Sequence, residues 1–409
     1  MADAEAAGSR EWWADAAVAG LGERRADAGA VGERKPDAGA AGEWSADARV
    51  VGSGEWLAAD VRGDDGWKVR LGEGHRREVL EAVRAVAVRE SGSVAAGDLG
   101  TVRVGLPAAG LPATELPGAE LPGAEAARSK AVGVGLAGLK AGGDERAGDG
   151  AAEGLWEGYW LPTLGPVLRQ VREELVGGRG FVLLQGVPVE EMSEREREIA
   201  ALGLGCHVGG IVAQMAGAPV MHVRDTGADP AQARTRSYEH SGRLGYHSDP
   251  TDVVALLCVR PAKSGGLSAI VSSVAVHNEV ARTRPDLLEV LYEPWWHDRR
   301  TGDEPDSFYT KPICVRREGG GVSVAYGPDY IRSAQRGAVV PPLSAAQREA
   351  MELLDRLTND ARFVLTMDLR EGDMQFLNNH VVLHSRTAYE DDPERRRHLL
   401  RLWLTVSRP

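Results

Sequence analysis

Residues 245–259 read GYHSDPTDVVALLCV, a polar segment that carries two candidate metal ligands and runs into an apolar stretch of strand length. His247 and Asp249 are two residues apart, so in an extended backbone both side chains point to one side and can reach one ion. In a helix the same spacing would direct them about 200° apart. The run VVALLCV predicts a strand buried on both faces. This stretch therefore predicts a metal site at the edge of a β-sheet core.

The third ligand of such a site is expected in residues 374–387, MQFLNNHVVLHSRT, where His384 follows strand-like residues. His380 has the same strand parity and is the alternative. A second His-x-acid match at His277 lies in a segment of helical pattern, so we interpret it as coincidence on a surface helix. Two imidazoles and one carboxylate on one face leave coordination positions open, which is typical of non-heme Fe(II). A structural zinc ion is more often closed by four ligands.

Residues 395–406, RRRHLLRLWLTV, form a strand pattern with unequal faces. With period two, one face carries Arg397, Leu399, Arg401 and Trp403, and the other carries His398, Leu400, Leu402 and Leu404. The second face is mostly apolar and belongs in a core. Because a buried guanidinium is costly without an anion, the arginines predict a clamp for a carboxylate. Solvated arginines on an edge strand are the alternative.

The remaining segments predict a mainly β protein with flanking helices, of the α+β class. Helical patterns occupy residues 75–90, 161–178, 193–205 and 342–360, with Ser193 and Ser344 as N-caps. Short strand patterns fill most of the rest of the chain after residue 180. Because few strands alternate with helices, an antiparallel sandwich or jelly roll is favoured over a parallel sheet.

Two stretches lack the composition of a folded core. Residues 1–53 repeat short Gly-Glu motifs at ten-residue intervals, and residues 91–154 carry Leu-Pro at 106, 111, 116 and 121. Proline at that frequency fits neither a helix interior nor a central strand. We therefore expect a disordered N-terminal tail at 1–53 and a single domain at 54–409, interrupted by a low-complexity insertion at about 91–154.

Charge and cysteine content exclude several classes of protein. The chain has 48 Lys+Arg against 60 Asp+Glu, a formal charge of −12, which argues against nucleic-acid and anionic-membrane partners. Its three cysteines form no C-x-x-C pair, so neither a zinc ribbon nor a disulfide scaffold is indicated. The N-terminal residues lack a signal-peptide pattern. The expected location is the cytoplasm.

The motifs together resemble the Fe(II)/2-oxoglutarate-dependent dioxygenases of the taurine dioxygenase (TauD/TfdA-like) family. The similarity rests on His247-x-Asp249, on SGGLSAIVSS at 264–273, and on His384 followed by Arg397 thirteen residues later. It covers roughly residues 55–89 and 155–409. The resemblance implies a double-stranded β-helix (jelly-roll) core. It also implies that His247, Asp249 and His384 bind Fe(II), with 2-oxoglutarate and O₂ as co-substrates and Arg397 as the partner of the distal 2-oxoglutarate carboxylate.

The resemblance extends to further side chains around the co-substrate and substrate. Ser268 stands where the family usually has a threonine whose hydroxyl touches 2-oxoglutarate. Arg401 matches an arginine that often helps to bind substrate, and we also count it among the co-substrate residues. Further substrate contacts are predicted at Arg386, His222, Arg224, Tyr246 and Asn379. Several arginines near one site suit an anionic or amino-acid-like small molecule.

The predicted function is hydroxylation, or desaturation, of an aliphatic C–H bond in a small molecule, with release of succinate and CO₂. One alternative is a catalytically inactive jelly-roll protein that binds a small molecule. A zinc-dependent enzyme on a similar barrel is the other, although it would leave Arg397 and Arg401 without a role. The sequence does not predict the oligomeric state.

Overall fold

The computed structural model describes residues 49–50, 53–95, 159–214, 217–228, 236–300, 307–317 and 320–406. The predicted tail at 1–53 lies outside the described residues except at 49–50 and 53. The predicted insertion at 91–154 lies outside them beyond residue 95, to which the second helix continues.

In the described chain the helices are α1 (Ala58–Arg62), α2 (Glu73–Ala95), α3 (Leu164–Gly177), α4 (Glu194–Cys206), α5 (Ser273–Thr283), α6 (Pro285–Tyr292), α7 (Pro328–Ala334) and α8 (Ala345–Thr358). The strands are β1 (Lys68–Arg70), β2 (Phe181–Gln185), β3 (Gly210–Val212), β4 (Met221–Val223), β5 (Leu244–His247), β6 (Val253–Arg260), β7 (Ser264–Gly265), β8 (Ser268–Ser272), β9 (Trp295–Asp298), β10 (Phe308–Lys311), β11 (Cys314–Arg316), β12 (Val322–Val324), β13 (Leu365–Met367), β14 (Met374–Asn378), β15 (Val382–Arg386), β16 (Tyr389–Glu390) and β17 (His398–Thr405).

Two sheets form the centre of the fold. The major sheet has the order β1-β2-β14-β6-β17-β3, with β4 also paired to β17, and the minor sheet has the order β13-β8-β15-β5. Apart from the parallel β1–β2 pair, the strands of both sheets pair antiparallel. The hydroxyl of Ser268 on β8 donates to Gln375 on β14 and so joins the two sheets directly. Two facing antiparallel sheets with outer helices confirm the predicted jelly-roll core.

The alternation along β6 explains why this strand is apolar throughout. Val254 and Cys258 belong to the core that lies between the sheets, whereas Ala255 and Leu257 pack with α2, α3 and α4 on the other face of the major sheet. The side chains of β17 also alternate between these two cores. Leu399 faces the first core and Leu400, Leu402 and Leu404 face the second. The period-two prediction for β17 is therefore confirmed.

The predicted helix starts are also present. The hydroxyls of Ser193 and Ser344 each accept a hydrogen bond from the backbone N–H three residues later, and each helix has a complete capping box. α5 is capped by Ser272, whose hydroxyl accepts a hydrogen bond from the backbone N–H of Ala275. These caps fix the first residues of α4, α5 and α8.

Candidate metal centre

Three side chains at one end of the minor sheet form a compact cluster of possible metal ligands. His247 ends β5 and lies directly opposite His384 on β15, with ring centroids 4.2 Å apart. Asp249 follows in the turn after β5. One ligand atom from each of the three residues lies within 4.8 Å of the other two. The antiparallel register thus places two ligands side by side, and the H-x-D spacing adds the third.

The Asp249 carboxylate is buried, and hydrogen bonds from its neighbours hold its orientation. Its Oδ2 atom accepts hydrogen bonds from Nε1 of Trp403 at 3.0 Å and from Nη1 of Arg401 at 3.4 Å. Its backbone N–H donates to Oδ1 of Asn379 at 2.9 Å. Burial alone would raise the pKa of Asp249, but the charge of Arg401 and the neighbouring imidazoles lower it, so the group is ionised. The Oδ1 atom is left for a metal.

The two histidines direct ring nitrogens toward the same point. Nδ1–H of His247 donates to the carbonyl oxygen of Gly245 at 2.9 Å, which leaves Nε2 as the free lone pair. Nδ1 of His384 is buried without a hydrogen-bond partner among the described residues. Burial, and then the charge of His247, lower the pKa of His384 to about 3, so the ring is neutral near pH 7. Two imidazoles and one carboxylate with open positions fit Fe(II).

The competing histidines have other roles. His380, the alternative third ligand, bonds through Nε2 to Asp252 at 2.9 Å and through Nδ1 to Ser323 at 2.7 Å, so both ring nitrogens are occupied. His277 lies on α5, as its helical pattern predicted. The expectation of a surface position is wrong, because the ring is buried and bonds to the hydroxyl of Tyr292 at 2.8 Å.

A second polar cluster, formed by Arg386, Tyr389 and Arg397, lies beyond His384 along the chain. Both guanidinium groups stack on the Tyr389 ring, at 4.7 Å for Arg386 and 5.1 Å for Arg397. Neither arginine forms an ion pair with a described residue, and Nε of Arg386, Nη1 of Arg397 and the tyrosine hydroxyl are buried without partners there. Burial lowers the pKa of both arginines, that of Arg386 to about 10 with a contribution from Arg397. Such a cluster favours an incoming carboxylate.

Ser268 lies at the edge of this cluster, paired across the strands with Arg386. Its side chain is on the inner face of β8, as its match to the family motif requires. However, its hydroxyl donates to Oε1 of Gln375 at 3.0 Å, and Nε2 of Gln375 in turn contacts the Met367 sulfur. The hydroxyl is therefore already used in joining the two sheets.

Three of the predicted substrate contacts have other partners in the structure. His222 lies on the outer face of the major sheet, where it bonds to Glu198 of α4 at 3.1 Å and to His398 at 2.9 Å. Tyr246 alternates with His247 along β5 and packs in the hydrophobic core. Asn379 is fully buried. Its side-chain oxygen accepts from the backbone N–H of Asp249, and its side-chain nitrogen donates to the carbonyl of Thr251.

The two remaining predicted contacts lie nearer the site. Arg386 is on the metal-facing side of β15, and its Nη2 donates to the backbone carbonyls of His240 and Gly242. It therefore anchors the loop that precedes β5. Arg224 is exposed after β4 and lines a cavity together with Arg397. Arg401 contacts Asp249, as described above.

Sequence reasoning missed two residues that complete this site. Trp403 shares a strand face with Arg401, and that signal could have identified it as a neighbour of the metal ligands. Gln214 could not be found in this way. Its Oε1 accepts from Nε of Arg401 at 2.9 Å and its Nε2 donates to the Arg401 carbonyl at 2.9 Å, across 187 residues of sequence.

A double-stranded β-helix that carries two imidazoles and one carboxylate at one end defines the class of non-heme Fe(II) oxygenases. A model of the "Taurine catabolism dioxygenase TauD, TfdA family" matches residues 148–403, and the chain belongs to this family. Among its relatives is "FR-33289 synthase" of Streptomyces rubellomurinus, 31% identical over 263 residues, which are 60% of this chain and 75% of the relative. "Taurine hydroxylase-like protein SAT17" of Stachybotrys chartarum is 31% identical over 264 residues, covering 60% and 66% of the two chains.

The fold is also that of a solved oxygenase. The crystal structure of an asparagine oxygenase with Fe(II), 3-hydroxyasparagine and succinate superposes with a TM-score of 0.53 at 16% identity, covering 83% of this chain and 93% of that one. The chain is an Fe(II)- and 2-oxoglutarate-dependent oxygenase, which confirms the predicted activity. Its relatives favour neither an inactive binding protein nor a zinc enzyme. In the described residues no helix has the length and apolar content of a membrane span.

Proposed function

We propose that His247, Asp249 and His384 hold the iron and that Arg397 binds the distal carboxylate of 2-oxoglutarate. The observation that carries this proposal is the cluster of three ligand atoms within 4.8 Å of one another. Bound Fe(II) supplies the activation of O₂ that converts 2-oxoglutarate to succinate and CO₂ and oxidises a substrate C–H bond. The protein's own residues orient the ligands, hold the co-substrate and exclude water.

Two of the three ligands, His247 and Asp249, have neighbours that direct their lone pairs. Gly245 takes the Nδ1 proton of His247, and Trp403 and Arg401 occupy one oxygen of Asp249. A metal ligand oriented in this way needs no rearrangement on binding. Arg397 supplies a positive charge with no carboxylate partner in the described chain, and a dianionic co-substrate would satisfy it.

The proposed substrate is a small amino-acid-like or otherwise anionic molecule that is hydroxylated at an aliphatic carbon. One supporting observation is that Arg401 uses Nε for Gln214 and Nη1 for Asp249, while no hydrogen bond from its Nη2 to a described residue is present. An acidic group of the substrate would accept from Nη2 beside the metal. The asparagine oxygenase of similar fold acts on an amino acid.

We place the reaction in the cytoplasm. The three cysteines are all free, and Cys258 and Cys314 are buried, which fits a reducing compartment.

The test is succinate release from 2-oxoglutarate with Fe(II), O₂ and ascorbate, scored over a panel of amino acids, amino sulfonates and small phosphates. We expect at least one panel member to stimulate succinate release above the uncoupled rate. His384→Ala should abolish metal binding and turnover, whereas Arg397→Gln should raise the KM for 2-oxoglutarate with metal binding retained. Full turnover by His384→Ala would refute the assignment of the ligands.

Recognition of the acidic group is tested by changing the substrate and leaving Arg401 in place, because a substitution of Arg401 would also disturb Asp249. For the best panel member, the amide in place of the acid should raise KM by about 10-fold or more, the effect of losing one charged hydrogen bond. An equal KM for acid and amide would show that the substrate charge is not recognised.

A further inference from the structure

A cavity of about 260 Å³ lies beside the start of β17 and has an unusual concentration of positive charge. Its lining includes four arginines, Arg224, Arg260, Arg396 and Arg397, and one carboxylate, Asp225. We refer to it as the arginine cavity. One oxygen of Asp225 accepts from the backbone N–H of Gly227 at 2.8 Å and is thereby committed to its own turn. The balance of charge in the arginine cavity is positive.

Several exposed arginines elsewhere in the described chain pair with carboxylates, whereas the exposed arginines of this cavity do not. Arg395, for example, is next to the cavity but bonds to Glu371 at 2.7 Å. Arg224 and Arg396 form no ion pair with a described residue. Within the described chain, the guanidinium of Arg260 donates only to the backbone carbonyl of Arg396, at 3.3 Å. In a chain with a formal charge of −12, a group of unpaired guanidiniums indicates a site for an anion.

The arginine cavity adjoins the cluster to which we assign the 2-oxoglutarate carboxylate. Arg397 belongs to both, and it is buried with one guanidinium nitrogen lacking a partner in the described chain. The charges of Asp225 and Asp391 both act on Arg386 and Tyr389. The cavity therefore lies on the outer side of the buried Arg386–Tyr389–Arg397 cluster.

A dianion that approaches an acidic protein is repelled on average, unless a local positive region attracts it. We propose that the arginine cavity is a surface anion site that captures dianionic 2-oxoglutarate and passes it to Arg397. The proposal rests on the proposed function, since it assumes that Arg397 receives the co-substrate. Arg224 and Arg396 then act on the rate of co-substrate entry and leave the final bound state unchanged.

The experiment follows the visible absorbance of the Fe(II)–2-oxoglutarate chelate after anaerobic mixing of iron-loaded protein with 2-oxoglutarate. The variant Arg224→Gln/Arg396→Gln removes two cavity charges. The matched control, Arg332→Gln/Arg395→Gln, removes two exposed charges that are ion-paired with Asp355 and Glu371 outside the cavity. At low salt we expect association to slow by about 3- to 10-fold in the cavity variant, within the range of electrostatic steering, and to depend less on ionic strength. The dissociation rate should not change.

Inorganic phosphate is the second probe. It should slow 2-oxoglutarate association in the wild type and the control by occupying the cavity, and it should have less effect on the cavity variant. Equal association rates and equal salt dependence in the two variants would overturn the proposal. A cavity variant that loses only its phosphate sensitivity would identify a phosphate site and also overturn it. Wild-type protein that binds Fe(II) but forms no chelate would instead refute the proposed function itself.

Discussion

At the scale of single residues, the site depends on how one carboxylate oxygen is occupied. The indole N–H of Trp403 and the guanidinium of Arg401 both donate to Oδ2 of Asp249, so only Oδ1 is left for iron. Arg401 is itself held by Gln214 and stacks on Trp403, with its Cζ 4.9 Å from the ring centroid. These neighbours should contribute to metal affinity even though none of them is a ligand.

We therefore expect Trp403→Phe to weaken metal binding by about 10-fold, the lower end of the effects known for hydrogen bonds to metal ligands. Phenylalanine preserves most of the packing and removes the N–H. The measurement is calorimetric titration of the metal-free protein with Co(II) or anaerobic Fe(II). Trp56→Phe is the matched control, since its N–H donates to the carbonyl of Arg179 away from the site. Equal affinities for the two variants would show that the Trp403 hydrogen bond does not orient Asp249.

The hydroxyl of Ser268 leads to a second prediction. Because it already donates to Gln375, Ser268→Ala should change the KM for 2-oxoglutarate by no more than about 2-fold, while stability falls by about 1 kcal/mol. Steady-state succinate release and urea unfolding measure the two effects. Arg397→Gln, which removes a charge, is the comparison and should raise the same KM by about 10-fold or more. A Ser268→Ala effect as large as that of Arg397→Gln would assign the hydroxyl to the co-substrate.

At the scale of secondary-structure elements, α4 packs unusually close to its neighbours. Gly203 and Gly205 lie on its buried face, and a Cβ atom at Gly203 would overlap the ring of Tyr159, which is itself fully buried. Gly165, in the first turn of α3, has no atom nearer than 3.9 Å to the position of a Cβ. Alanine substitutions at these two glycines therefore distinguish the effect of helix propensity from the effect of packing.

Gly203→Ala should destabilise the protein by about 1–3 kcal/mol, because overpacking exceeds the gain in helix propensity of about 1 kcal/mol. In Gly165→Ala that gain is unopposed, so stability should rise by up to about 1 kcal/mol. Urea unfolding followed by circular dichroism measures both. An increase in stability for Gly203→Ala would mean that Tyr159 can move away at little cost.

Elements were also the level at which the sequence was most informative. Ser193 and Ser344 were identified as caps because a hydroxyl three residues before a Glu or Gln is a local signal. The alternation in β17 predicted that Leu400, Leu402 and Leu404 share a core-facing side and that Arg397 and Arg401 share the other. These predictions succeeded because they depend on neighbouring residues in the chain, and burial of one face then selects the conformation.

At the scale of the whole molecule, several buried histidines couple stability to pH. Burial lowers the pKa of His297 to about 3 and that of His384 likewise, so the folded protein holds both rings neutral. The unfolded chain binds protons on these residues below about pH 6.5. Since the unfolded state then binds more protons, stability is full above that pH and falls as the pH decreases toward the folded pKa values.

His297 offers a test away from the metal site, on β9. In the metal-free protein, His297→Gln should reduce the slope of unfolding free energy against pH, between pH 6 and 4.5, by up to about 1.4 kcal/mol per pH unit. Urea unfolding at several pH values gives the slope. His75→Gln, at a partly exposed position, is the control. An unchanged slope for His297→Gln would show that the ring becomes protonated in the folded state.

The sequence by itself predicted the β-rich fold class, the helix caps, the H-x-D pair and the family resemblance, and it offered His384 and His380 as candidates for the third ligand, because all of these are encoded in local spacing and composition. Only the tertiary structure decided which of the candidate side chains are already engaged in packing or hydrogen bonds. It showed that Asn379, Tyr246 and His222 are used for packing and loop contacts, that Ser268 bonds across the two sheets, and that Gln214 supports Arg401. These roles depend on contacts between residues more than 100 positions apart in most cases. Only the packing of two sheets brings such residues within hydrogen-bond distance, so no local pattern can reveal them.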